Sequence, residues 1–91
     1  MTFVYPAVFA PKKDGTGYEA FFPDLEMCTA EGRTPEDCAD RARDAAKDWI
    51  SLELEDGWNL PLASAEEDLQ VPEGGMIKKI MVHIRLLPEN D

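Results

Sequence analysis

The sequence holds little of what most catalytic and metal centres are built from. There are two cysteines, Cys28 and Cys38, and one histidine, His83, in 91 residues. Two cysteines are too few for a disulfide framework. The three soft ligands lack C-x-x-C spacing and fall on three different segments, so small buried hydrophobes and an outward-facing strand histidine describe them better than a zinc site or a Cys-His nucleophile pair. No Gly-rich phosphate loop and no Ser-His-Asp set is present, and no cofactor is expected. Basic residues are also scarce, nine against nineteen acidic ones, for a net charge of −10. Such a field repels nucleic acid and anionic membranes and attracts basic proteins from a distance. The lysines form only the pairs Lys12-Lys13 and Lys78-Lys79, with no interleaved aromatics, which argues against nucleic-acid binding. Long apolar runs are missing too. The N-terminal TFVYPAVFA is short, lacks preceding basic residues and contains Pro6, so it reads as a strand rather than a targeting segment. A cytoplasmic protein is the expectation.

What is present fits one small globular domain spanning residues 1–91. Apolar residues make up 44% of the chain, and a domain this short buries only about 60–65% of its unfolded surface. Modest stability and association with itself or a partner are therefore expected. Residues 2–10 alternate, with Phe3, Tyr5, Ala7 and Phe9 on one face and Val4, Pro6, Val8 and Ala10 on the other. KKDGTG is a hairpin turn signal, and YEAFF returns as a second strand that Pro23-Asp24 ends. MCTAE is a third short strand closed by Gly32.

Thr34 is a helix N-cap, with Pro35 at the first helical position and Glu36 and Asp37 on the positive end of the helix dipole. The helix is predicted from Pro35 to about Glu55, stopping at Asp56-Gly57. At about 100° per residue, Cys38, Ala42, Ala45, Trp49 and Leu52 form one buried stripe, widened by Ala39 and Ala46, whose alanines let it lie close to a sheet. Residues 58–75 are a connector, and MIKKIMVHIRL is a half-buried strand with Ile80, Val82, Ile84 and Leu86 alternating against Lys79, Met81, His83 and Arg85.

The fold expected is α+β, in the order βββαβ. Treating the helix as a right-handed crossover to a parallel strand gives a four-stranded mixed sheet, order 3-2-1-4, with one helix on one face. The other sheet face is left uncovered, and self-association is its expected use.

Two groups of carboxylates are candidate sites. Asp24, Glu26 and Glu31 surround the second turn, but a two-metal nuclease would want acids in the first strand, and TFVYPAVFA has none. On the helix, Asp37, Asp40, Asp44, Asp48 and Glu55 fall within a sector of about 80°. A solvated helix face usually mixes signs. Five carboxylates in line suit either a solubilising surface or a docking edge for a basic partner.

The stretch GYEAFFPDLEMCTAEGRTPEDCADRARDAAKDWI, with its flanks YPAVFAPKKDGTG and EDGWNLPLAS, resembles the HicB antitoxin family over residues 3–65. The residues that carry the resemblance are Tyr18, Phe22, Pro23, Asp24, Leu25, Cys28, Gly32, Thr34, Glu36, Ala39, Ala42, Ala45 and Ala46. The resemblance implies a partial RNase H-like fold without nuclease activity. It also implies a partner, a small basic HicA-type toxin that cleaves RNA and is blocked by the antitoxin. Asp37, Asp40, Asp44 and Asp48 are then the expected partner contacts, with Asp24 and Glu26 beside them. Where the family usually has Pro-Gly after F-P-D-L, this chain has Glu26-Met27, so its turn must form without glycine. Full-length members carry a C-terminal DNA-binding segment; here LLPEND follows the last strand, so no direct contact with nucleic acid is expected. An orphan homo-oligomeric domain without a toxin is the rival reading, and an enzymatic or RNA-binding relic of the RNase H-like fold the third.

Overall fold

The computed structural model describes residues 1–57 and 59–84. Four strands, β1 (Thr2–Pro11), β2 (Tyr18–Phe21), β3 (Thr29–Gly32) and β4 (Met76–His83), and one helix, α1 (Pro35–Asp56), follow in the order βββαβ. The strands make one sheet in the order β3-β2-β1-β4, with α1 across one face.

Local chemistry sets each junction. The β1–β2 turn closes through Lys12 and Gly17, with the Lys12 amide donating to the Gly17 carbonyl at 2.8 Å. Asp14 accepts from both the amide and the hydroxyl of Thr16. Pro6 is tolerated inside β1 because β2 pairs only with Val8 to Pro11, leaving that side of Pro6 without a ladder. Gly32 lets the helix start directly against β3: a Cβ there would lie 2.4 Å from the backbone nitrogen of Cys38.

The direction of the last strand differs from the expected one. β4 runs antiparallel to β1, in an unbroken register from Thr2↔His83 to Phe9↔Met76. The sheet is therefore fully antiparallel rather than mixed, although the strand order is the expected one. The connector explains the difference. Helix α1, 22 residues long, returns the chain by about 33 Å. Residues 58–75 can span more than that when extended, up to roughly 60 Å. They carry the chain back again, and Gly75 arrives beside the Phe9 carbonyl. A crossover rule for parallel strands does not apply to such a path.

The core lies between α1 and the face carrying Tyr5, Ala7 and Phe9 of β1, Ala20 of β2, and Ile80 and Val82 of β4, with Phe22, Leu25 and Cys28 closing one end. Burying side chains of this size contributes roughly 1.5–3 kcal/mol each for the larger ones. The helix buries Cys38, Ala42, Ala46, Ile50 and Leu54, while Ala39, Ala45 and Trp49 pack at its margin. The buried row steps by four, which drifts about 40° per step, so the stripe ends at Leu54 and not at Leu52, which is 62% exposed. Ile80, Val82 and Ile84 are buried and Lys79, Met81 and His83 exposed, as the alternation requires. Leu86 and Arg85 lie outside the described residues.

Candidate functional site: the acidic helix face and the sheet surfaces

Helix α1 is fixed at its start by Thr34, whose hydroxyl accepts from the Asp37 amide at 3.0 Å. The Asp37 side chain in turn reaches back to the turn before it. Its Oδ2 accepts from the Arg33 amide at 3.0 Å, and Oδ1 lies 3.4 Å from Arg41 Nε. The Arg33 hydrogen bond, then the Arg41 side chain, hold its carboxyl below the usual aspartate range. Asp37 thus serves the helix cap as well as the acidic face.

Asp40, Asp44 and Asp48 are exposed at successive four-residue steps on the side of α1 away from the sheet. Asp40 pairs with Arg43 at 3.1 Å, an exposed contact worth little by itself. Asp44 and Asp48 form no ion pair among the described residues. Their repulsion is tolerated because α1 draws its stability from the buried row, not from charge pairs on its solvent face.

The second group behaves differently. Asp24 turns inward from the β2–β3 turn and accepts from the Ser64 amide at 2.8 Å and from its hydroxyl at 2.5 Å. Glu26 is exposed, and its carbonyl accepts from the Trp49 indole at 2.9 Å. Glu31 pairs with Lys12. Among the described residues, these three carboxylates do not come together as a metal-binding group. Between Glu26 and Cys28, Met27 takes φ 61°, which is how this turn forms without glycine.

The cysteines and the histidine lie on three separate segments, the β2–β3 turn, α1 and β4. Cys28 and Cys38 are buried free thiols, and burial pushes both up from the usual thiol range. His83 is exposed with Nδ1 2.9 Å from the Thr2 hydroxyl. No helix among the described residues is long and apolar enough to cross a membrane.

The sequence pattern points to a sheet face away from α1 but not to its detail. Val4, Phe21 and Met81 on that face are 40–50% exposed, and a groove of about 460 Å³ at the Phe21 end is lined by Val8, Ala10, Phe21, Thr29, Glu31 and Pro72, among others. Pro72 could not have been placed there from sequence, because its position depends on the path of the connector.

Comparison with known proteins agrees with this architecture. Residues 4–73 match the family described as HicB_like antitoxin of bacterial toxin-antitoxin system. Among solved structures, a chain of the "HicA3 and HicB3 toxin-antitoxin complex" is similar at 24% identity and a TM-score of 0.64, over 91% of this chain and 99% of that one. The crystal structure of antitoxin HicB3 is similar at 24% identity and a TM-score of 0.63; the match takes in 91% of this chain but 62% of HicB3. No curated protein matches. An antiparallel sheet in the order 3-2-1-4 under one acidic helix, together with the match over residues 4–73, places the chain in the family of HicB-like antitoxins of bacterial toxin-antitoxin systems.

Proposed function

We propose that the protein is a non-catalytic antitoxin that binds a small basic HicA-type toxin and occludes it through the solvent face of α1. The observation that carries this reading is the row of exposed carboxylates at Asp40, Asp44 and Asp48, extended by Asp37 at the helix start. A row of like charge on a rigid helix is suited to steer and register a basic partner. Family membership supports the antitoxin role, and the similar solved complex is one of HicA3 with HicB3. Glu26 is exposed beside Trp49, at the margin where α1 meets the core, whereas Asp24 acts by holding the connector in place.

The test is a binding isotherm against the toxin for Asp40→Asn, Asp44→Asn and Asp48→Asn combined. Affinity falls at least tenfold at low salt, mostly through slower association, and the difference shrinks at high salt. Unchanged affinity at low salt would remove the helix face from the interface.

A homo-oligomeric domain that acts without a toxin is the second reading. Its support is the apolar exposure of Val4, Phe21 and Met81 on the free sheet face.

A further inference from the structure

The four-residue step that carries Asp40, Asp44 and Asp48 along α1 next reaches Leu52 and then Asp56. Leu52 is 62% exposed, so it interrupts the acidic row without entering the core. At this level the buried row runs through Ile50 and Leu54 instead. A single exposed leucine is ordinary. Its neighbours set this one apart.

Trp49 precedes Leu52 by three residues, which makes the two side chains neighbours on the helix surface. The Trp49 indole donates to the Glu26 carbonyl at 2.9 Å, and that carbonyl belongs to the peptide unit leading into Met27. Met27 is 90% exposed and holds φ 61°, a backbone region that suits glycine. Its side chain neither packs on the core nor eases the turn. Backbone strain kept without a structural return concentrates at functional surfaces. A methionine thioether, flexible and polarisable, adapts readily to a partner's apolar surface.

We propose that Leu52 and Met27, with the edge of Trp49 between them, are the apolar anchor of the toxin interface, an inference that rests on the antitoxin reading above. The occupant is a basic protein whose own apolar patch is ringed by lysine or arginine. Charge selects it. Asp48 and Asp56 flank Leu52 along the helix and Glu26 precedes Met27, all three exposed. Neither residues 48–56 nor residues 23–29 contain a lysine or arginine. An apolar centre within a charged rim is the usual anatomy of an interface, and side chains at such a centre carry most of the binding energy. A second copy docking through the same patch would meet this rim with like charge.

The two parts of the face then act at different stages. The carboxylate row steers the partner and sets the association rate, while the anchor sets how long the complex lasts. A few side chains are a small part of the roughly 1,200–2,000 Å² that a standard interface buries, so high salt still releases the partner.

Binding kinetics of the full chain with the HicA-type toxin test this, using Leu52→Ala, Leu52→Glu and Met27→Gly. Alanine is a strong helix former and glycine suits the left-handed turn, so the first and last of these variants fold. Each raises the dissociation rate about fivefold or more, and the association rate keeps its wild-type salt dependence. Leu52→Glu also weakens binding, although it lengthens the acidic row. Wild-type kinetics in both Leu52→Ala and Met27→Gly overturn the anchor. So does tighter binding by Leu52→Glu, the result a purely electrostatic face would give. In those cases the combined Asp40, Asp44 and Asp48 variant still loses affinity, and the antitoxin reading stands. A wild type that binds no toxin overturns both readings. Sedimentation of Leu52→Glu adds a last check: loss of a self-associated form with toxin kinetics unchanged assigns the patch to a second copy and overturns the proposal.

Discussion

Asp24 and Ser64, forty residues apart in sequence, are joined by two hydrogen bonds through one carboxylate, at 2.8 Å from the amide and 2.5 Å from the hydroxyl. This contact ties the connector to the β2–β3 turn at the far end of the sheet from Gly75. Nearby, the Tyr5 hydroxyl donates to the Pro61 carbonyl at 2.6 Å, and Leu60 packs on the core. Together they direct the chain so that β4 enters antiparallel.

Removing the carboxylate tests that role. Asp24→Ala leaves the Ser64 amide and hydroxyl without their acceptor and costs about 1–3 kcal/mol of stability, as charged hydrogen bonds in a partly buried site do. Urea denaturation reads this directly. Because Asp24 is turned toward Ser64, the salt dependence of toxin binding stays as in the wild type, while the midpoint falls.

Met27 gives a prediction of opposite sign. A left-handed backbone costs a side-chain-bearing residue roughly 1–2 kcal/mol, and glycine avoids that cost at some loss of chain entropy. Met27 is 90% exposed, so its side chain contributes little packing in return. Met27→Gly raises stability by about 0.5–1 kcal/mol, and Met27→Ile, β-branched, lowers it. A thermal melt of both variants decides the sign.

The helix cap sets an acid response. Thr34→Ala removes the acceptor for the Asp37 amide and costs about 1 kcal/mol. The folded-state pKa of Asp37 lies below its unfolded value, so its contribution is present above the unfolded value and is lost as pH falls through the folded one. Asp37→Asn removes this part of the acid dependence, and the stability difference between wild type and variant narrows toward low pH. Chemical denaturation across the acid range measures it.

How much of the fold is legible in the sequence depends on the range of the interaction that decides each element. The Thr34-Pro35 start, the Gly57 stop, the two hairpin turns and the alternation of Ile80, Val82 and Ile84 are set by neighbours a few residues away, and the structure follows them. The helix stripe is only partly legible. A narrow stripe at helical spacing takes in Leu52 and leaves out Ile50 and Leu54, because the buried row follows the drift of a four-residue step across a long helix. The direction of β4 is not legible, since it is decided by where residues 58–75 go, and that path rests on Asp24–Ser64 and Tyr5–Pro61. The same limit applies to the candidate site. Helical spacing alone puts Asp40, Asp44 and Asp48 on one exposed row. It cannot reveal that Asp37 is shared with the cap or that Asp24 faces Ser64.

The central claim is that an acidic helix face holds a basic toxin. Native purification of the tagged protein from its own host, washed first at low and then at high salt, tests it most directly. The account predicts that a small basic protein is retained at low salt and released at high salt, and that its RNA cleavage stops when the antitoxin is added back. Recovery of the protein alone at both salts, as a defined oligomer, would contradict the account and leave a self-associating domain in its place.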